Sequence, residues 1–185
     1  GRRIQLGLFP TPLHRLDRLE RALGFSGRIY IKRDDQTGLA SGGNKTRKLE
    51  YLMHTAIAEG CDSVITAGAQ QSNHCRQTAA ACARLGLECH LVLGGEEPAA
   101  YGGNLLLSSM LGATIHFSGE HRKGEDIPEL AKNLHEQGKK PYLVPYGGSN
   151  LTGAFGFVHA MLELAAQLQQ LSIMPDYIFI ASSSG

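Results

Sequence analysis

The sequence predicts an α/β fold with parallel sheets covered by helices, and three features predict it. Short apolar runs alternate along the chain with longer segments of helical periodicity. Most of the runs are followed by Gly, Ser or Asn, the residues that turn a strand into the next element. One helical segment is rich in alanine and can lie close against a sheet. Such alternation argues for parallel strands joined by helices that cross over on both faces.

In chain order the strand candidates are residues 29–32, 63–67, 89–93, 114–117, 142–145 and 177–181. The helix candidates are residues 45–59, 72–85, 104–111, 126–137 and 153–171. In the first helix, Leu49, Leu52, Met53 and Ala56 recur at helical spacing and define a core-facing stripe. The second contains Ala79, Ala80, Ala81 and Ala83. Residues 98–104, Pro-Ala-Ala-Tyr-Gly-Gly-Asn, form the segment expected to be the most mobile loop. The run at 177–181 is strongly apolar and is expected to be central in its sheet. A parallel sheet continues with a helix after such a strand, so the chain reads as the N-terminal part of a longer protein.

A chain of 185 residues, 42% apolar, can bury one sizeable core or two small ones. Its 18 basic and 17 acidic residues leave a net charge of +1, with no stretch that concentrates positive charge. Neither nucleic acid nor an anionic membrane is expected as a partner. No apolar run approaches the roughly 20 residues of a membrane span. The start, Gly1-Arg2-Arg3, lacks an apolar secretory segment. The cysteines, Cys61, Cys75, Cys82 and Cys89, do not read as a disulfide framework, which implies a reducing, cytoplasmic compartment. His74 and His90 adjoin two of them, but no C-x-x-C pair is present. Small buried apolar thiols are the better reading, with no metal.

Loops of small polar residues sit where strands give way to helices. Ser41-Gly42-Gly43-Asn44-Lys45-Thr46-Arg47-Lys48 follows one strand and opens the first helix. A lysine at the mouth of such a helix, behind two glycines, can become a reactive amine. The loop nearly matches a phosphate-binding P-loop, with four residues between Gly38 and Gly43. Asn44, however, separates Gly43 from Lys45, which moves the lysine along the helix and away from a phosphate. Gln70-Gln71-Ser72-Asn73-His74 opens the alanine-rich helix, whose free first-turn N–H groups suit a carboxylate. Ser72 or Asn73 also suits a plain N-cap, a role compatible with binding. Ala181-Ser182-Ser183-Ser184-Gly185 has too little bulk to block close approach of a phosphate to its backbone. Gly147-Gly148-Ser149-Asn150 could line the same pocket or serve as a turn.

Together these loops resemble the pyridoxal-phosphate (PLP) enzymes of the tryptophan-synthase-β type, fold type II. The similarity is greatest to the D-cysteine desulfhydrase / 1-aminocyclopropane-1-carboxylate deaminase family. It runs from about Leu8 to Gly185 and includes Lys32-Arg33-Asp34-Asp35, Gly42-Gly43-Asn44-Lys45-Thr46-Arg47-Lys48-Leu49-Glu50, Gln71-Ser72-Asn73-His74, Arg76-Gln77-Thr78-Ala79-Ala80 and Gly147-Gly148-Ser149-Asn150. The resemblance implies PLP as cofactor, with Lys45 as the Schiff-base lysine, Lys48 beside the phosphate and Asn73 on the phenolic oxygen. Ser183, Ser184 and Gly185 would begin the phosphate cup. Ser72, Asn73 and His74 would hold the substrate carboxylate, and Ser72 would also help proton transfer.

The same resemblance implies a two-lobed protein truncated in its larger lobe. Residues 1–48 would belong to the large lobe, 49–157 would form a small α/β domain, and 158–185 would return to the large lobe. The activity implied is α,β-elimination releasing sulfide, pyruvate and ammonia from D-cysteine or a close analogue. Deamination of the cyclopropane amino acid and cysteate sulfo-lyase activity are the alternatives within the family. A PLP-free amino-acid-binding protein is the alternative outside enzymes. His74 and the Gly147–Asn150 loop favour the desulfhydrase reading. The full-length protein is expected to be a homodimer, and this piece alone inactive.

Overall fold

The structure, a computed structural model, describes residues 2–182. Ser183, Ser184 and Gly185 lie outside the described residues. An antiparallel hairpin of β1 (Leu13–Arg15) and β2 (Tyr30–Lys32) brackets helix α1 (Asp17–Leu23). Helix α2 (Lys45–Ala58) then leads into alternating elements: β3 (Ser63–Ala69), α3 (Asn73–Leu85), β4 (Glu88–Gly94), α4 (Gly103–Met110), β5 (Thr114–Phe117), α5 (Ile127–Glu136) and β6 (Pro141–Leu143). Helix α6 (Leu151–Gln170) follows a short 3-10 turn at Tyr146–Gly148.

The four later strands form one parallel sheet in the order β5-β4-β3-β6. β3 and β4 pair throughout, from Ser63 opposite Glu88 to Ala69 opposite Gly94. Successive side chains on a strand point to opposite faces. Val64, Leu91 and Leu93 therefore meet one core with Leu49, Leu52, Ala79, Cys82 and Leu105. Ile65, Ala67 and Val92 meet the other, with Ala131 and Leu134 of α5. Helices thus cover both faces, as the alternation predicts. Ala79, Ala80 and Ala81 of α3 are fully or almost fully buried, and their small side chains let this helix lie close to β3 and β4. Burial of each of Leu49, Leu52 and Met53, which have no exposed surface, contributes about 1.5–3 kcal/mol.

α2 is buried on almost every side, including Arg47, Lys48 and Glu50. Buried charges persist when paired, and Arg47 and Glu50 are. Glu50 accepts from the N–H groups of Leu6 and Gly7 at 2.9 and 3.0 Å and from Arg3 at 3.0 Å, which fastens the N-terminal arm to α2. On its other side α2 meets α6. A Cβ at Gly156 would stand 2.4 Å from the Arg47 carbonyl oxygen and 2.7 Å from the Lys48 nitrogen. Gly156→Ala must push two helix backbones apart, since no side-chain rotation relieves the overlap. The expected cost is about 3 kcal/mol, read as a lowered urea midpoint. An unchanged midpoint would mean that α6 slides freely on α2.

Two expectations need correction. Residues 177–181 pair with no strand among the described residues, and Phe179 is 93% exposed. Apolarity fits a buried strand, but a ladder needs a neighbour, and the sheet edges β5 and β6 do not supply one. Secondly, α6 is long and apolar enough to cross a membrane by length and composition alone, with a mean hydropathy of 1.2. The reading by uninterrupted apolar runs passes over it because His159, Glu163 and Gln167 interrupt the apolar residues. Here Glu163 and Gln167 bond to protein groups. Strand β2 falls within the predicted 29–32, but its hairpin partner β1 and helix α1 were not predicted. The hairpin strands have only three residues each, and Leu13-His14-Arg15 shows no alternating apolar pattern.

Candidate active site

The loop before α2 has an unusual backbone. Leu39, Ala40, Ser41, Gly42 and Gly43 have φ values of 52, 52, 70, 70 and 133°. The first three carry side chains into the left-handed region, at about 1 kcal/mol or more each. Arg76 of α3, itself buried, holds the run by donating to the Ala40 carbonyl and, at 3.0 Å, to that of Gly42. Thr37 Oγ1 donates to the Gly43 carbonyl and accepts from the Gly43 N–H, both at 2.8 Å. Gln77 completes the junction: its Oε1 accepts from the Thr46 N–H and hydroxyl, each at 2.9 Å. It thereby caps α2 from a neighbouring helix. A Cβ at Gly43 would strike the Gln77 amide nitrogen at 2.4 Å, so only glycine admits this cap.

α3 opens on Ser72, whose Oγ accepts from the Cys75 N–H at 3.2 Å, the N-cap geometry. The N–H groups of Asn73 and His74 precede the first intrahelical acceptor and have no helical partner. The mouths of α2 and α3 meet the Tyr146–Asn150 segment around one cleft of about 720 Å³. Lys45, Lys48, Ser72, Asn73 and His74 all line it. So do Gly147, Ser149 and Asn150, and Ser182 reaches it from the far end of the chain. The sequence reading did not single out Tyr146, Ala154 and Phe157, which also line it. Their only signal was helical position on α6 or adjacency to the Gly147 loop.

The two lysines perturb one another. Burial lowers Lys45 below its ordinary value, with a hydrogen bond to Lys48 acting the other way. Burial, and then the charge of Lys45, lowers Lys48 to about 8. Lys48 Nζ donates to Ser149 Oγ at 2.9 Å and to the Gly147 carbonyl at 3.3 Å. The pair therefore yields a neutral amine far more readily than a solvated lysine does.

His74 is neutral, because burial and both lysine charges lower it to about 3. Its tautomer follows from its neighbour. Thr66 Oγ1 donates its single proton to the Val144 carbonyl at 2.9 Å, so it accepts from His74 Nε2 at 2.9 Å. Nε2 carries the proton, and Nδ1 is a buried acceptor with no hydrogen-bond partner among the described residues.

Arg47 anchors the motif from beneath. It bonds Asp34 through two contacts of 2.8 Å and Glu163 at 3.0 and 3.1 Å. Burial pulls Arg47 down, but the two carboxylates outweigh it and hold the guanidinium above its ordinary value. Burial pushes Glu163 up, yet Arg47 and Lys32 bring it down to about 2. The four cysteines are free, buried thiols. Among the described residues, no cluster of three or more His, Cys, Asp or Glu could hold a metal.

A lysine amine of lowered basicity, lining one cleft with the N-termini of α2 and α3, is chemically able to receive an anionic carbonyl ligand. The chain belongs to the pyridoxal-phosphate dependent enzymes, the family that matches residues 4–185. Pyridoxal phosphate is that family's cofactor. The residues present fit it: the cleft has room, Lys45 supplies an amine, and the first-turn N–H groups of α3 offer donors to an anion. The chain is 44% identical to a D-cysteine desulfhydrase of Serratia proteamaculans over 98% of its own length and 56% of that protein. It is 48% identical to a D-cysteine desulfhydrase of Yersinia enterocolitica, covering 95% of this chain and 54% of that protein. The crystal structure of an ACC deaminase homologue superposes with a TM-score of 0.81 at 42% identity, over 89% of this chain and 50% of that one. The chain therefore spans about half the length of these relatives.

Proposed function

We propose that this chain forms half of a PLP-dependent lyase that eliminates sulfide from D-cysteine or a close analogue, with pyruvate and ammonia as the other products. The observation that supports it most is the meeting of Lys45, Lys48, Ser72 and Asn73 in one cleft, with the lysine amines lowered. When bound, PLP supplies an electron sink for a carbanion next to the substrate nitrogen. The Lys45 amine would hold the cofactor's aldehyde carbon and, once released by the substrate amine, take the α-proton. Lys48 and the residues from Ser183 to Gly185 would face the phosphate. The Asn73 and His74 N–H groups would receive the carboxylate. Ser72 Oγ already accepts from Cys75, so its proton is the part offered to substrate.

The domain division at residues 48 and 157 belongs to this reading, and it is supported by the four-stranded sheet falling between residues 63 and 143. A cytoplasmic setting fits the free thiols. A homodimer fits the exposed apolar side chains of Leu162, Met174 and Phe179.

Substrate choice follows from chemistry. D-Cysteine needs only removal of its α-proton and loss of a good leaving group. 1-Aminocyclopropane-1-carboxylate has no α-proton, so its ring must be opened with further acid–base help. Likeness to the ACC deaminase homologue keeps this second reading in view. Side-by-side steady-state assays on the full chain should give the higher kcat/KM for D-cysteine. A higher value for the cyclopropane amino acid would reverse the choice within the family.

A further inference from the structure

We propose that Asn104 of α4 is a positioning residue that sets which end of the Asn73 amide faces the cleft. Amide oxygen and nitrogen can exchange places by a flip, so the assignment must come from partners whose roles are fixed. Asn104 has two such partners. Its Oδ1 accepts from Arg76 Nε at 2.8 Å, and a guanidinium only donates. Its Nδ2 donates at 2.8 Å to the Gln71 carbonyl, which only accepts. The Asn104 amide therefore has one orientation. The same Nδ2 lies 2.8 Å from Asn73 Oδ1, and Arg76 Nη2 lies 3.4 Å from that oxygen. With two donors on that side, Asn73 must turn its oxygen toward them.

Its Nδ2 donates to no group among the described residues, and Asn73 lines the cleft. The arrangement hands the cleft a hydrogen-bond donor for a ligand oxygen, negatively charged or phenolic. α4 is held in register for this task. Gln71 Oε1 accepts from the Asn104 N–H at 2.8 Å, and Gln71 Nε2 donates to the Gly102 carbonyl at 3.1 Å. At Gly103 (φ +55°), a Cβ would stand 2.5 Å from Gln71 Oε1. Asn104 and Gln71 act on the ligand through Asn73, whereas Arg76 also holds the loop before Lys45.

The proposal rests on the cleft being the PLP site. Asn104→Asp keeps the bond from Arg76 but places a second acceptor against Asn73 Oδ1. The Asn73 amide should then turn over and offer the cleft an oxygen. Losing a donor to the cofactor's phenolic oxygen raises the proton affinity of the lysine–cofactor unit, whichever atom holds the shared proton. In the reconstituted full chain, the pH midpoint of the visible absorption band should rise by about one unit in Asn104→Asp and in Asn73→Ala, tenfold in proton affinity. The double variant should shift no further than Asn73→Ala alone. Asn104→Ala, which removes the donor without adding a charge, should shift the midpoint part of the way.

A midpoint that moves in Asn73→Ala but not in either Asn104 variant would overturn the proposal, even if both variants melt earlier. If the wild-type chain takes up no PLP, the functional reading fails. Neutron crystal structures of the cofactor-free wild type and Asn104→Asp, which locate the amide hydrogens, then decide the proposal alone: a reversed or displaced Asn73 amide in the variant supports it, and an unmoved one sinks it.

Discussion

Lys45→Ala should abolish borohydride-fixed labelling of this chain by PLP and lower turnover by about 10²–10⁴-fold through loss of the base alone. Lys48→Ala should keep the label. The two lysines are three residues apart on α2, nearly one helical turn, and the surroundings differ. Lys48 is drawn toward Ser149 and the Gly147 carbonyl. Lys45 stands at the first position of the helix, next to the left-handed loop. Reduction of the loaded full chain followed by peptide mass mapping distinguishes them. A pyridoxyl group on Lys48 would show that the roles are exchanged.

Glu163→Ala should lower stability by about 3 kcal/mol. That corresponds to a fall of about 6–12 °C in melting temperature for a chain of this size. Glu163 is only 14% exposed and faces both Arg47 and Lys32. It also receives the Thr11 N–H at 2.8 Å. Removing it leaves buried Arg47 with one carboxylate, Asp34, and takes from half-buried Lys32 the carboxylate it faces. The pH dependence has a definite sign. The folded-state value of Glu163 lies below its ordinary one of 4.5, at about 2. Its contribution is complete above pH 4.5 and is lost as the pH falls toward 2. The variant should therefore lack that part of the acid-induced loss of stability. Urea melts at pH 7 and pH 3 measure both effects, and equal midpoints for wild type and variant at pH 7 would refute the assignment.

Much of this was legible because it is local. Alternation placed β3, β4 and β5 and the helices between them within one or two residues. The small-polar loops marked where Lys45, Ser72 and Asn73 would stand. What could not be read are bonds that span long stretches of chain. Gln77 caps α2 across 31 positions, and Glu163 reaches Arg47 across 116. Nothing around Gln77 or Glu163 in the sequence announces those partners. The tautomer of His74 depends on Thr66 and on a carbonyl at Val144, on two other segments. Residues 177–181 illustrate the opposite error, in which an apolar run predicts a strand although pairing is decided by neighbours.

The left-handed run from Leu39 to Gly43 has a bearing on the order of assembly. An unfolded chain seldom visits five such conformations in succession, so this turn cannot nucleate by itself. It becomes favourable only when Arg76 arrives from α3 to bind the carbonyls of Ala40 and Gly42. The sheet and its alanine-rich helix must therefore dock before the lysine is presented. The Lys45 loop is thus expected to form late in folding, and a chain caught halfway would hold a formed core and an unformed loop.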